Sequence, residues 1–148
     1  MKLVVDSNVL FTFFWRNSVF RQICLRPHVQ LITPEYALEE IREHAEEIQA
    51  KAHISTHEFR TMFDELKGIV GVIALKEYSA SLKATKSLGA HLSPTDEQEF
   101  LNDLDFLALA LHYQCFLWSN DALLKNQDGV PVLDTKDVIT LLAELPSV

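Results

Sequence analysis

The sequence Leu3-Val4-Val5-Asp6-Ser7-Asn8 decides the fold, because a short apolar run ends there at an acid followed by small polar residues. The same arrangement returns late in the chain as Leu117-Trp118-Ser119-Asn120-Asp121. Short apolar runs alternate with longer helical patterns, and the runs are Leu3 to Val5, Val29 to Ile32, Ile69 to Ile73, Cys115 to Trp118 and Val130 to Leu133. This alternation predicts an α/β fold, a three-layer sandwich in which helices cover both faces of a central parallel sheet.

The composition is that of one folded domain. The chain has 148 residues, a length at which folding buries roughly 70% of the surface of the unfolded chain. Hydrophobic residues make up 48% of it, beside only four Gly and five Pro, which excludes a disordered protein. Because no linker, repeat or low-complexity stretch interrupts the sequence, we expect residues 1–148 to form a single domain.

Charge and cysteine content limit where the protein acts. Thirteen Lys and Arg against 21 Asp and Glu give a net charge of −8, which excludes a surface that coats polyanions without specificity. The apolar runs are too short to span a membrane, and the first residues lack the architecture of a signal peptide. Two cysteines without a CxxC spacing indicate a reducing compartment. We therefore expect a cytoplasmic protein without a membrane segment.

Several helix starts have a local signature. Thr33-Pro34 predicts an N-cap followed by a proline in the first helical position, and Ser93-Pro94 repeats this form. Ser55 to Glu58 has the spacing of a capping box, and Asp134 is a plausible cap for the last helix. The stretch Asp103 to Tyr113 is rich in Leu and Ala without β-branched residues, which favours a buried helix over a strand.

Asp6 and Asp121 each follow an apolar strand. In open α/β sheets ligands bind in the crevice outside the carboxyl ends of the strands, so both acids are placed to face that crevice. The alternative for each is a structural one, since Asp is also favoured as an N-cap of the following helix.

Helical periodicity selects two further acids. After Thr33, Glu40 falls at the edge of an apolar stripe, whereas Glu39 and Glu43 point away from it. In the later helix, Asp103 shares the apolar face, while Asp105 lies on another side. A carboxylate on an apolar face is costly to ionise unless a cation or hydrogen bonds compensate.

Asp6, Glu40, Asp103 and Asp121 therefore form a candidate cluster of carboxylates from four separate elements. Gathered together they would repel one another, and Mg²⁺ or Mn²⁺, which prefer oxygen ligands, would neutralise them. Such a site fits metal-assisted hydrolysis of a phosphodiester.

With these residues the chain resembles the PIN-domain family of metal-dependent ribonucleases. The resemblance rests on residues 4–10, on Pro34 to Ile41, and on Asp103 to Leu111 followed by Leu117 to Asp121. It implies about five parallel strands, with Mg²⁺ or Mn²⁺ bound by the four acids at their carboxyl edge and with Asn8 and Ser119 as supporting polar groups. It also implies an RNA substrate and a homodimer. Because many small PIN domains are toxins, it implies an antitoxin protein as partner as well.

Two features of the sequence, covering three positions, depart from the family pattern. Leu123 and Leu124 stand where many relatives carry another acid, which puts a second metal site in doubt. Asp105 stands where close relatives often have a different residue, and no catalytic task follows for it.

Basic residues are segregated along the chain. Ser7 to Thr33 carries three Arg and no acid, and Leu66 to Thr95 carries four Lys and one Glu. If these segments converge, Arg16, Arg21 and Lys83 are candidates for attracting RNA phosphates. The alternative is that these basic residues are solvated charges on separate faces of the protein.

The working hypothesis is a metal-dependent endoribonuclease, and other interpretations stay open. A catalytically silent PIN-like module that binds RNA or protein is one, and a receiver-like signalling domain is another, although the late strand ends lack the Lys that it needs.

His53 and His57 have a zinc-compatible spacing without supporting ligands. The aromatic run Phe11 to Trp15 is suited to base stacking or, more commonly, to packing in a core or dimer interface.

Overall fold

The structure is a computed structural model that describes residues 1–145, and its centre is a parallel sheet. Its strands are β1 (Lys2–Val5), β2 (Gln30–Pro34), β3 (Gly71–Ile73), β4 (Phe116–Trp118) and β5 (Val132–Leu133). They lie in the order β3-β2-β1-β4-β5, and every pairing is parallel. The α/β fold with a five-stranded parallel sheet is therefore confirmed.

Helices connect the strands and cover the sheet. They are α1 (Ser7–Phe11), α2 (Val19–Cys24), α3 (Glu35–Glu43), α4 (Ala45–Ala52), α5 (Thr56–Ile69), α6 (Leu75–Tyr78), α7 (Leu82–Ser87), α8 (Pro94–Asn102), α9 (Leu104–Tyr113) and α10 (Thr135–Ala143). Short 3-10 helices span Thr12–Phe14, Ser79–Ser81 and Ala122–Lys125. Helix α9 packs on both β1 and β2, so the stretch predicted as a buried helix lies against the middle of the sheet.

Three of the predicted helix starts are confirmed. Ser55 caps α5 in a capping box with Glu58, and Ser93 caps α8 with Pro94 in the first turn. Asp134 caps α10 in a second capping box, in which the carboxylate of Asp137 accepts the N–H of Asp134. Each cap depends on residues no more than three positions apart, which is why the sequence reveals it.

The predicted start at Thr33-Pro34 is wrong by one residue. Thr33 is buried inside β2, where it pairs with Val72 of β3, and its hydroxyl donates to the Val5 carbonyl over 2.8 Å. Pro34 has an extended backbone at the N-cap position, so α3 begins at Glu35. Pairing with two neighbouring strands therefore outweighs the local capping signal.

The aromatic run after α1 belongs mainly to the core. Phe13 and Phe14 are buried, and the Phe14 ring stacks on Phe59 with centroids 5.0 Å apart. Packing is thus the correct interpretation for these two rings. Phe11 and Trp15 are half-buried at the edge of the same cluster.

Two further sequence expectations concern thiols and membranes. Cys24 and Cys115 are both free. Among residues 1–145, no helix is both long enough and apolar enough to cross a membrane.

Candidate active site

Three of the four predicted acids lie where the chain leaves the sheet or where a helix begins, and the fourth, Glu40, lies in the second half of α3. Asp6 follows β1 and caps α1, and Asp121 follows β4 and caps the 3-10 helix Ala122–Lys125. Asp103 occupies the N-cap position of α9, and Glu40 lies on α3, which follows β2. Since β1, β2 and β4 are adjacent and parallel, their carboxyl ends meet at one edge of the sheet.

Asp6 is the most deeply buried of the four, with 4% of its surface exposed. The pKa of its carboxyl is raised from 3.8 to about 6, mainly by burial and to a smaller extent by the negative charges of Asp121 and Glu40. Hydrogen bonds from the Ser119 hydroxyl and the Val9 N–H, the latter 2.9 Å long, act in the opposite direction. Asp6 thus lies in the field of two other members of the cluster.

Asp103 is half-buried, and the pKa of its carboxyl is raised more than that of Asp6. Burial raises the pKa of its carboxyl to about 7, and the charges of Asp6, Asp121 and Glu40 add to the effect in that order. Its side chain makes no capping hydrogen bond to α9. The carboxyl that sequence periodicity placed on the inner face therefore does face the other three acids.

Glu40 is half-buried and held by a residue that the sequence analysis did not single out. The hydroxyl of Ser7 donates to Glu40 Oε1 over 2.6 Å. Burial raises the pKa of Glu40, while this hydrogen bond and the neighbouring His44 lower it. Glu39 and Glu43 are exposed, as predicted. The available signal for Ser7 was its place directly after Asp6 at a strand end.

Ser119 connects two of the acids. Its hydroxyl oxygen accepts the backbone N–H of Asp121 over 3.1 Å, and its hydroxyl also bonds to Asp6. Asp121 Oδ1 in turn accepts the N–H of Leu123 over 3.0 Å. For Asp6 and Asp121 the capping and clustering interpretations therefore both hold.

The other predicted supporting residue, Asn8, lies on the surface of α1. Its side chain is exposed and forms no side-chain hydrogen bond in the described part of the chain. Ser7, not Asn8, is the residue of this segment that contacts an acid of the cluster.

The donor set fits a hard divalent cation in its chemistry. All four candidate residues are carboxylates, and none of them takes part in the Lys–Asp and Lys–Glu ion pairs found within residues 1–145. Burial is the main cause of the raised pKa values of Asp6 and Asp103, and the neighbouring carboxylates add to it. With the side chains in their present rotamers, no three His, Cys, Asp or Glu groups of the described chain lie close enough together to coordinate an ion.

Asp105, which had no assigned task, has a structural partner. The buried Tyr78 donates its hydroxyl to Asp105 Oδ2 over 2.6 Å. Burial and this carboxylate raise the pKa of the Tyr78 hydroxyl far above its usual range. This hydrogen bond fastens α6 to α9 beside the acid cluster.

The predicted basic residues separate into two places. Arg16 and Arg21 line one cavity of about 480 Å³ together with Lys51 and His53. Arg21 is partly engaged there, because its Nε donates to the Phe13 carbonyl over 2.6 Å. Lys83 lies on α7 and is not part of that lining, so the two basic segments do not meet at this cavity.

The chain belongs to the PIN domain family, whose sequence profile matches residues 4–143. PIN domains are generally nucleases. Among solved structures, the fold is similar to that in the crystal structure of VapBC2 from Rickettsia felis bound to a DNA fragment from its promoter. That match has a TM-score of 0.65 and 15% sequence identity, and it covers 90% of this chain and 98% of the other. Comparison with curated proteins gives no match.

Proposed function

We propose that this protein is an endoribonuclease that uses Mg²⁺ or Mn²⁺ to hydrolyse RNA phosphodiester bonds. The observation that carries the proposal is that Asp6, Glu40, Asp103 and Asp121 come from four elements to one edge of the sheet, where no Lys or Arg of the described chain forms an ion pair with them. Membership of the PIN domain family supports a nuclease.

In this proposal the four carboxylates hold the cation. When bound, it supplies positive charge to the phosphate oxygens and makes water more acidic. Without added positive charge, Asp6 and Asp103 keep their protons to an unusually high pH, since their pKa values are about 6 and about 7. Ser7 fixes the rotamer of Glu40, and Ser119 fixes that of Asp6.

Polar residues next to the acids in the sequence and basic residues elsewhere on the molecule complete the proposal. Asn8 and Ser119 act as supporting groups around the acids, and Arg16, Arg21 and Lys83 attract RNA phosphates. Arg16 is the best placed of the three, because it is exposed beside a cavity that Lys51 also lines.

The biological setting that we propose is a toxin–antitoxin pair. The similar structure from Rickettsia felis is a VapBC2 assembly bound to DNA. By analogy, this chain would be a homodimeric cytoplasmic toxin whose activity an antitoxin protein blocks. Its two free cysteines are consistent with a reducing compartment.

A second candidate is a PIN domain that binds RNA or protein without cleaving it. The observation in its favour is the spacing of the acids in the present rotamers, which does not bring three donors of residues 1–145 around one point.

Cleavage of a mixed RNA pool by the purified protein distinguishes these candidates. The assay is run with Mg²⁺, with Mn²⁺ and with EDTA, beside the variants Asp6→Asn and Asp121→Asn. The matched control is Asp128→Asn, which changes an exposed aspartate outside the cluster.

Metal-dependent cleavage that the first two substitutions abolish and the control retains is the expected result. Cleavage that survives both substitutions would contradict the assigned site. Absence of cleavage together with measurable RNA binding would favour the second candidate.

A further inference from the structure

Tyr36 is the residue at the rim of the acid cluster that the proposed function leaves unused. It is the second residue of α3, and 41% of its surface is exposed. Of the large hydrophobic side chains that residues 1–145 expose, it is the only aromatic one. An aromatic ring left in water beside a group of carboxylates is a candidate contact for a ligand.

The ring is held in place by the helix that carries the third acid. Its centroid lies 6.4 Å from that of Phe106, with an angle of 55° between the planes. Phe106 is fully buried in α9, three residues after Asp103. The Tyr36 ring therefore contacts the helix whose N-cap residue is Asp103.

The hydroxyl of Tyr36 lies close enough to carboxylates of the acid cluster to be affected by their charge. Burial raises the pKa of its hydroxyl, and the carboxylates of Glu40, Glu43, Asp103 and Asp105 raise it as well. Two of these, Glu40 and Asp103, are proposed metal ligands. The phenol is consequently neutral near pH 7, and the ring offers an uncharged surface directly beside them.

The surroundings of the ring determine what it can recognise. A nucleic acid strand that enters an acidic site is repelled there by the carboxylates, so attraction close to the cut bond has to come from the cation or from uncharged contacts. An aromatic face provides such a contact, because every base can stack on it without a charged partner.

We propose that Tyr36 stacks against the base next to the phosphodiester bond that is cut, and so positions that phosphate over the acids. The proposal rests on the proposed ribonuclease function, since it names RNA as the ligand. Tyr36 is a substrate-binding residue in this account, and it takes no part in proton transfer.

The test uses three replacements of the ring. Tyr36→Phe keeps the aromatic face, Tyr36→Leu keeps apolar bulk without it, and Tyr36→Ala removes both. Ile139→Ala is the matched control, because Ile139 is similarly exposed, at 48%, but lies on α10. Thermal unfolding of each variant establishes that the fold is intact.

Two quantities are measured with a short, mixed-sequence single-stranded RNA. One is KM and kcat of cleavage, and the other is the Kd of a fluorescent form of the RNA for the Asp103→Asn protein in Mg²⁺. We expect Tyr36→Ala and Tyr36→Leu to raise both KM and Kd about ten-fold, the size of one lost base stack. Tyr36→Phe and Ile139→Ala should leave them unchanged.

An RNA with one abasic position beside the cut bond separates stacking from a general structural role. With this substrate, the wild-type protein should bind about as weakly as Tyr36→Ala, because the base that would stack is gone. If Tyr36→Ala weakens the intact and the abasic RNA by the same factor, the ring acts on the structure and the stacking proposal is wrong.

The inference and the proposed function can fail independently. If the wild-type protein cleaves RNA while Tyr36→Ala has an unchanged KM and Kd, the inference fails and the ribonuclease proposal stands. If the protein does not cleave but its RNA binding still depends on the Tyr36 ring, the ribonuclease proposal fails and the stacking contact stands. Loss of protein partner binding in Tyr36→Ala with RNA binding unchanged would also overturn the inference.

Discussion

At the scale of single residues, the acids of the cluster combine structural and chemical tasks. Asp6 accepts the Val9 N–H at the start of α1, and Asp121 accepts the Leu123 N–H of the following 3-10 helix. The same carboxylates repel one another and Asp103. Asn keeps the capping hydrogen bond while removing the charge, so Asp→Asn variants separate the two tasks.

Asp6→Asn is expected to stabilise the metal-free protein above neutral pH. A carboxyl whose pKa rises from 3.8 to about 6 on folding destabilises the folded state once it is ionised, by about 3 kcal/mol at most. Urea unfolding in EDTA should therefore show a higher free energy of unfolding for this variant. Asp134→Asn, at the exposed cap of α10, should show no such gain. A less stable Asp6→Asn protein would contradict the described repulsion.

Tyr78→Phe tests the hydrogen bond between α6 and α9. Removal of the buried hydroxyl leaves Asp105 without the donor that lies 2.6 Å away, which should cost about 1–2 kcal/mol of unfolding free energy. Because Asp105 is outside the proposed ligand set, kcat of RNA cleavage should change less than two-fold. A loss of activity as large as that of Asp121→Asn would show that Asp105 belongs to the active site.

At the scale of elements, the sequence predicts helix caps whose partners are close in the chain, but it does not predict contacts between residues that are far apart in the chain. Ser55, Ser93 and Asp134 cap helices as expected, because each partner lies within three residues. The sequence predicts Thr33 as the N-cap of α3, but Thr33 lies in β2, because pairing with β3 decides its place. The same reason applies to Ser7, whose partner Glu40 is 33 residues away in the chain. Periodicity could select Glu40, but it could not find the hydroxyl that holds it.

Ser55→Ala measures the capping box of α5. The substitution removes the side-chain acceptor for the Glu58 N–H, and loss of such a cap typically costs about 1 kcal/mol. Chemical denaturation should detect this loss, and Ser55→Asp should recover most of it. Equal stabilities of Ser55→Ala and the wild-type protein would mean that the cap does not contribute to folding.

At the scale of the whole molecule, opposite charges are kept apart. The net charge is −8, yet no Lys or Arg of the described chain forms an ion pair with the acids at the sheet edge, while Arg16 and Arg21 line a cavity that contains none of these acids. The sequence indicated both groups but not their separation, because that depends on where α7 and α2 pack. A cation at the acids would couple folding, proton release and substrate attraction.

The pH dependence of stability follows from this arrangement. Asp6 and Asp103 bind protons more tightly in the folded than in the unfolded state, so their contribution to stability is lost as the pH rises from about 4 through about 7. In EDTA, the wild-type protein should lose stability over this range relative to an Asp6→Asn, Asp103→Asn double variant. Saturating Mg²⁺ should remove most of the difference above pH 7. If the free energy of unfolding changed with pH in the same way for both proteins in EDTA, the raised pKa values would be contradicted.

The most direct test of the account is a titration with Mn²⁺ in which electron paramagnetic resonance reports the free ion. The wild-type protein is compared with Glu40→Gln and with Glu39→Gln, which makes the same change on the adjacent, exposed residue of α3. We predict that the wild-type protein and Glu39→Gln bind Mn²⁺ equally well, and that Glu40→Gln weakens binding at least ten-fold. A wild-type protein that leaves the ion free, or equal weakening by both substitutions, would contradict a cation site formed by the four acids.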